Sequence, residues 1–256
     1  NSVFGVRKDH FYYPGTKRVR TAFGDVLPTP VGPAAGPHTQ LAQNIIASYL
    51  AGARFMELKT VQKMDGIEIR EAVAKPCINA EDEAYNCEWS TELTVEEAFD
   101  EYVKAWFAIA LLRKELSLGS DWDLVYNMSV GYDLAGIKTK KIDDFIEGLK
   151  DASDTDIFQT CRATLEANLD TFSNFRKEDL DNIPVTLCSA ITLSTLHGTK
   201  PEEIRSICDY LIEEKQLNTF VKCNPTLLGY DFARETLDKM GYDYLAFDDH
   251  HFRHDL

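Results

Sequence analysis

The strongest constraint on this chain is an alternation of short β-forming bursts with longer amphipathic stretches, the pattern that yields parallel strands joined by crossover helices. Strand candidates are Pro30-Val31, Arg54 to Val61, Asp123 to Val130, Val185 to Ser194, Thr219 to Cys223 and Tyr242 to Phe247, each ending in small or polar residues. Helices are expected over Gln40 to Ala51, stopped by Gly52, and over Val95 to Leu116, introduced by the capping box Thr94-x-x-Glu97. Further helices read over Ile142 to Leu149, Ile157 to Leu169, Pro201 to Glu214 behind a second box Thr199-x-x-Glu202, and Asp231 to Met240 closed by Gly241. A dinucleotide-binding sheet needs GxGxxG after its first strand, whereas this chain has Gly32-Pro33-Ala34-Ala35-Gly36-Pro37, whose two prolines cannot make that loop. The expectation is therefore a (β/α)8 barrel with about six of its eight strands. Residues 1–25 form an irregular lead-in and 26–256 a barrel truncated before strands seven and eight, as a piece of a longer polypeptide would be.

Charge narrows the partners. With 27 Lys+Arg against 42 Asp+Glu the net charge is −15, a field that repels nucleic acid and acidic membranes. The longest apolar run, Trp106 to Leu112, is far short of the ~20 residues that span a bilayer, and the first residues lack a signal layout, so a cytoplasmic protein is expected. The six cysteines, at 77, 87, 161, 188, 208 and 223, fall in no CxxC or Cys/His cluster and read as buried free thiols. No metal is expected at the tail Asp248-Asp249-His250-His251-x-x-His254, because adjacent histidines project in different directions.

Parallel α/β proteins gather functional groups at the carboxyl ends of their strands. The first strand ends in Ala34-Ala35-Gly36, a bare backbone suited to a flat ring or simply to a tight turn. The second ends in Lys59-Thr60, an ammonium and a hydroxyl at the mouth. In the third, Asn127 and Ser129 share one face, as Lys222 and Asn224 do in the fifth. A lysine inside an apolar strand is costly unless its head reaches the rim or a ligand. His197, after the fourth strand, is either a general acid or base or a loop-packing residue.

These strand ends, in this order, resemble the flavin-binding barrel of dihydroorotate dehydrogenases and of the pyrimidine-reducing domain of dihydropyrimidine dehydrogenase. A closer similarity, to the amino-terminal region of the selenate reductase subunit family, is carried by Val31-Gly32-Pro33-Ala34-Ala35-Gly36-Pro37-His38, Glu57-Leu58-Lys59-Thr60-Val61-Gln62, Tyr85-Asn86-Cys87-Glu88-Trp89-Ser90, Met128-Ser129-Val130-Gly131-Tyr132-Asp133 and Lys222-Cys223-Asn224-Pro225-Thr226. The resemblance implies an FMN-type barrel of the dihydroorotate-dehydrogenase type within a larger redox protein. Iron-sulfur clusters, FAD and NAD(P)H would sit in other modules, with a molybdenum hydroxylase as partner and anaerobic purine or selenium metabolism as context. Carried over by position, Ala34, Ala35 and Gly36 correspond to the flavin-approach turn, and Lys59, Thr60 and Lys222 to residues that hold the flavin. Asn127, Ser129 and Asn224 would line the pocket, and Asn86 corresponds to a substrate-side asparagine.

One departure stands out. Where dihydroorotate and dihydropyrimidine dehydrogenases place a Cys or Ser acid/base, this chain has Thr195, in Ser194-Thr195-Leu196-His197, so Thr195 or His197 would have to handle protons. The opposing expectation is a barrel that has lost its own catalysis and docks redox modules.

Overall fold

The computed structural model describes residues 2–66, 68, 93–119, 122–194, 199–223 and 225–254. Two short antiparallel hairpins come first, β1 (Ser2–Val3) with β2 (Val6–Arg7) and β3 (Val19–Arg20) with β4 (Val26–Leu27). Then follow α1 (Ala42–Leu50), β5 (Phe55–Glu57), α2 (Val95–Glu115), β6 (Val125–Val130), α3 (Leu134–Ile137), α4 (Lys140–Lys150), α5 (Asp156–Ala167), α6 (Lys177–Asp181) and β7 (Cys188–Leu193). After them come α7 (Pro201–Asp209), β8 (Asn218–Val221), α8 (Tyr230–Lys239) and α9 (His250–His254).

Strands β5 to β8 form one parallel sheet whose spatial order is the chain order. A doubly wound sheet reverses direction and covers both faces, whereas an order that never reverses can gather its helices on one face, as a barrel does. Met56, Tyr126, Met128, Val130, Ile191 and Leu193 point to that helical face and belong to the apolar core. Trp106 of α2 packs its ring 4.8 Å from Tyr126 and donates its indole N–H to Pro184 O. The alternate residues face inward: Phe55 and Glu57, Asn127 and Ser129, Thr192, Phe220. In a flat sheet the outer strands β5 and β8 would lie ~14 Å apart. Here the Phe55 and Phe220 rings meet at 6.3 Å across the inner face, with Phe23 4.7 Å from Phe220, so the sheet is curled into an arc.

The arc has four strands among the described residues, against the six expected. Pro30-Val31 is no ladder strand, yet Val31 O accepts from Arg54 N and Pro33 O from Glu57 N, in the parallel sense. Prolines at 30 and 33 remove the donors that a ladder needs. The segment lies so close to β5 that a Cβ on Gly32 would sit 1.5 Å from Phe55 O, so this position admits only glycine. Tyr242 to Phe247 forms no strand: the Arg234 guanidinium takes the carbonyls of Tyr242 and Leu245, and the Phe247 ring folds back 5.5 Å from Tyr230. The box at Thr94-Glu97 is made, whereas α7 starts one residue later than Thr199-Glu202 requires, with Lys200 at its cap and Glu203 engaged by Leu134 N. Gly241 takes the left-handed conformation expected of it. Of the four described cysteines only Cys188 is fully buried, and Cys223 is exposed, which corrects the expectation of buried thiols. Among the described residues no helix is long and apolar enough to cross a membrane.

Candidate active site

The inner face becomes polar toward the carboxyl ends of the strands. Phe55 and Phe220 form an apolar layer, and one step along come Glu57 on β5 and Lys222 just past β8, with Asn127 directly opposite Glu57 in the β5–β6 register. Asn127 is 1% exposed; its Nδ2 donates to Thr192 Oγ1 at 2.6 Å, and its Oδ1 is buried without a hydrogen-bond partner. A buried, unsatisfied polar atom costs ~1–3 kcal/mol, a cost that proteins carry where a ligand completes the network.

The Lys59-Thr60 pair owes its placement to a break in strand alternation. Leu58 N bonds Asn127 O, but the next rung is Val61 N to Ser129 O, so three residues of one strand span two of the other. Such a bulge re-aims side chains at strand ends. The Thr60 hydroxyl lies 2.8 Å from the Ser129 hydroxyl, and Lys59 is 4% exposed with its ammonium 3.5 Å from Thr60 O. At the end of β6, a Cβ on Gly131 would come within 2.7 Å of Ser194 O, so the ends of β6 and β7 are pressed together there. Tyr132 follows at φ 84, a left-handed conformation that costs a bulky side chain of order 1–3 kcal/mol and clusters at functional sites.

The turn Ala34-Ala35-Gly36 is less bare than the sequence suggests. Ala34 is exposed, but the Ala35 N–H donates to Glu57 Oε2 at 3.0 Å and the Gly36 N–H to Thr39 Oγ1 at 3.2 Å. These two donors are spent on the protein itself, so neither N–H is open to a ligand. Glu57 Oε1 in turn lies 3.2 Å from Lys222 Nζ, an ion pair reaching across the mouth between the two outer strands of the arc. The structure thus brings Ala35, Lys59, Thr60, Asn127, Ser129 and Lys222 to one end of the sheet. Asn86, Thr195, His197 and Asn224 lie outside the described residues.

Glu57 was missed by sequence reasoning, though a signal was present. It is a charge inside Phe55-Met56-Glu57-Leu58, and the cost argument applied to Lys222 applies equally to it.

One family's sequence profile, described as a TIM-barrel domain, matches residues 4–256. The chain belongs to the family of the oxidoreductase YgfK N-terminal TIM-barrel domain. It is 48% identical over 267 aligned positions to "Putative oxidoreductase YgfK" of Escherichia coli strain K12, and equally to the protein of that name from Escherichia coli O157:H7. All of this chain is covered in each alignment, but only 26% of each relative, so it spans about a quarter of their length. No solved structure matches it. The chain is therefore an oxidoreductase-family barrel domain similar to one part of a larger protein.

Proposed function

We propose that this chain is the FMN-binding barrel of a multi-domain or multi-subunit iron-sulfur flavoprotein, exchanging electrons with a nitrogen heterocycle or a similar substrate. The observation that carries the reading is the under-satisfied inner face at the strand ends: a buried Asn127 Oδ1 with no partner, at the same end of the sheet as the Thr60 and Ser129 hydroxyls, Lys59 and Lys222. This donor set fits FMN, whose ring edge alternates hydrogen-bond donors and acceptors and gains negative charge on reduction. Bound there, FMN would supply the electron and hydride chemistry that no side chain can perform.

The chain's own groups bind and orient. Lys59, Thr60 and Lys222 would hold the cofactor, with the two ammonium groups stabilising negative charge. Asn127 and Ser129 would complete its polar contacts, with Asn224 beside them by sequence position. Asn86 would face the substrate, and Thr195 or His197 would move the proton. FAD, NAD(P)H and iron-sulfur clusters belong in this reading to other modules, with a molybdenum hydroxylase as partner, cytoplasmic location, and purine- or selenium-linked metabolism as setting.

The test is an absorption spectrum with identification of released flavin on the full-length protein, wild type against Lys59→Ala and Lys222→Ala. The expected result is one FMN in the wild type and its loss from both variants, with any FAD retained. If the wild type holds no FMN, or both variants keep it, the barrel is a docking scaffold for redox modules, as the threonine at position 195 would allow.

A further inference from the structure

The Glu57 carboxylate stands between two groups assigned to the cofactor. Its Oε2 is spent on the Ala35 N–H at 3.0 Å, while its Oε1 is buried, makes no hydrogen bond and lies 3.2 Å from the Lys222 ammonium. The Glu57 side chain is 14% exposed and that of Lys222 42%. The carboxylate is thus the fixed member of the pair, and the lysine is the one that can turn toward a ligand. Lys59, a second cation at this end of the sheet, is buried with its ammonium near the carbonyl of Thr60. A structural role for Glu57, tying down the turn at Ala35, uses one oxygen and needs only an acceptor there. The second oxygen, held beside an ammonium without a hydrogen bond, acts through its charge.

We propose that Glu57 is a positioning residue that tunes the redox site: its carboxylate is the counter-ion of Lys222 and makes the bound cofactor harder to reduce than the lysine alone would. This rests on the FMN reading above. Reduction of FMN to its anionic form takes up two electrons and one proton. A cation beside the ring favours that anion, and a carboxylate paired with the cation offsets the benefit. Because Lys222 is partly solvated, the offset is screened and amounts to about fivefold in the relative affinity for reduced over oxidised flavin.

The test is spectroelectrochemistry on the full-length protein with the electrode as electron source, wild type against Glu57→Gln, read as a difference so that centres outside the barrel cancel. Glutamine keeps an acceptor for Ala35 N–H and removes the charge. The expected result is retained FMN with a potential more positive by about 20 mV, which is about fivefold for a two-electron couple. Glu57→Asp, which withdraws the carboxylate by one methylene, should shift it the same way by less, and it carries the test if the glutamine variant fails to fold. A wild type without FMN overturns both the parent reading and this one. FMN retained at an unchanged potential overturns this proposal alone, and FMN lost from Glu57→Gln overturns it too, showing that the charge is needed to bind the cofactor rather than to tune it.

Discussion

At the amino ends of β5 and β6 the Arg54 guanidinium, fully buried, donates to Asp123 Oδ2 at 2.9 Å and to the carbonyls of Tyr49 and Ala53, and it lies over the Tyr49 ring at 3.8 Å. The Tyr49 hydroxyl donates to Asp123 Oδ1, and burial pushes its own titration well up. At the carboxyl ends of the same two strands, Glu57 and Asn127 sit opposite each other with one oxygen apiece lacking a hydrogen bond, and the cation facing Glu57 is half in solvent. The amino end pairs its opposite charges within the protein, with Arg54 Nη2 left as a buried donor lacking a partner, whereas the other end leaves two acceptors without hydrogen bonds. In parallel barrels the first end is where stability resides and the second is where ligands bind. The contrast in charge pairing is what favours the carboxyl ends as the candidate site.

The largest effect should come from breaking the amino-end network. Asp123→Ala strands a fully buried guanidinium and is expected to cost about 3–5 kcal/mol. Replacing the pair together, Arg54→Met with Asp123→Leu, should recover most of that loss. Urea denaturation measures both, with the flavin content of the folded fraction unchanged. If the double variant is as unstable as the single one, the network is not what supports this end.

A smaller stability effect and a larger functional one are expected at the other end. Asn127→Ala removes one hydrogen bond, to Thr192, together with an unsatisfied oxygen, so its net cost should be about 1 kcal/mol or less. Bound FMN should nevertheless fall by about tenfold, the loss of an interaction worth roughly 1.4 kcal/mol. An Asn127→Ala protein that unfolds as readily as Asp123→Ala while keeping its flavin would erase the distinction between the two ends.

Much of this was legible in the sequence because side-chain alternation is a local property. Asn127 with Ser129, and the core positions Tyr126, Met128 and Val130, follow from period two in an apolar strand. Thr94 and Glu97 carry their capping geometry within four residues. What escaped depends on who the neighbour is. The pattern in Tyr242 to Phe247 reads as a strand, but nothing local reveals that Arg234 takes its carbonyls. The sequence places Lys59 and Thr60 together at a rim, but the bulge that lets Thr60 meet Ser129 is set by pairing with β6. Glu57 was passed over because its meaning lies in Ala35 and Lys222, distant in sequence and joined only by the curl of the sheet.

The smallest effect sharpens the comparison from outside both ends, where charges are neither buried nor waiting for a ligand. Lys215 bridges Asp143 and Glu147 of α4, which fastens the turn after α7 to that helix. The Lys215 ammonium holds both carboxyls below their ordinary range. Burial alone would lower Lys215, but its hydrogen bonds to Asp143 and Glu147 overcome this and hold it above the usual lysine value. Depressed carboxylates contribute stability that is present above about pH 4 and is lost as pH falls through their folded-state values. The raised ammonium contributes below about pH 10 and loses its share as pH rises through its own. Lys215→Met should therefore cost no more than about 1 kcal/mol at neutral pH, since both carboxylates are well exposed. It should also flatten the stability profile on the acid side, as urea midpoints from pH 3 to 7 would read. The Asp123→Ala loss should persist across that range from about pH 5 upward, because a stranded buried guanidinium has no counter-charge to recover at any of those pH values. Equal acid sensitivity in the two variants would mean that the amino-end pair is no better protected from water than a surface bridge.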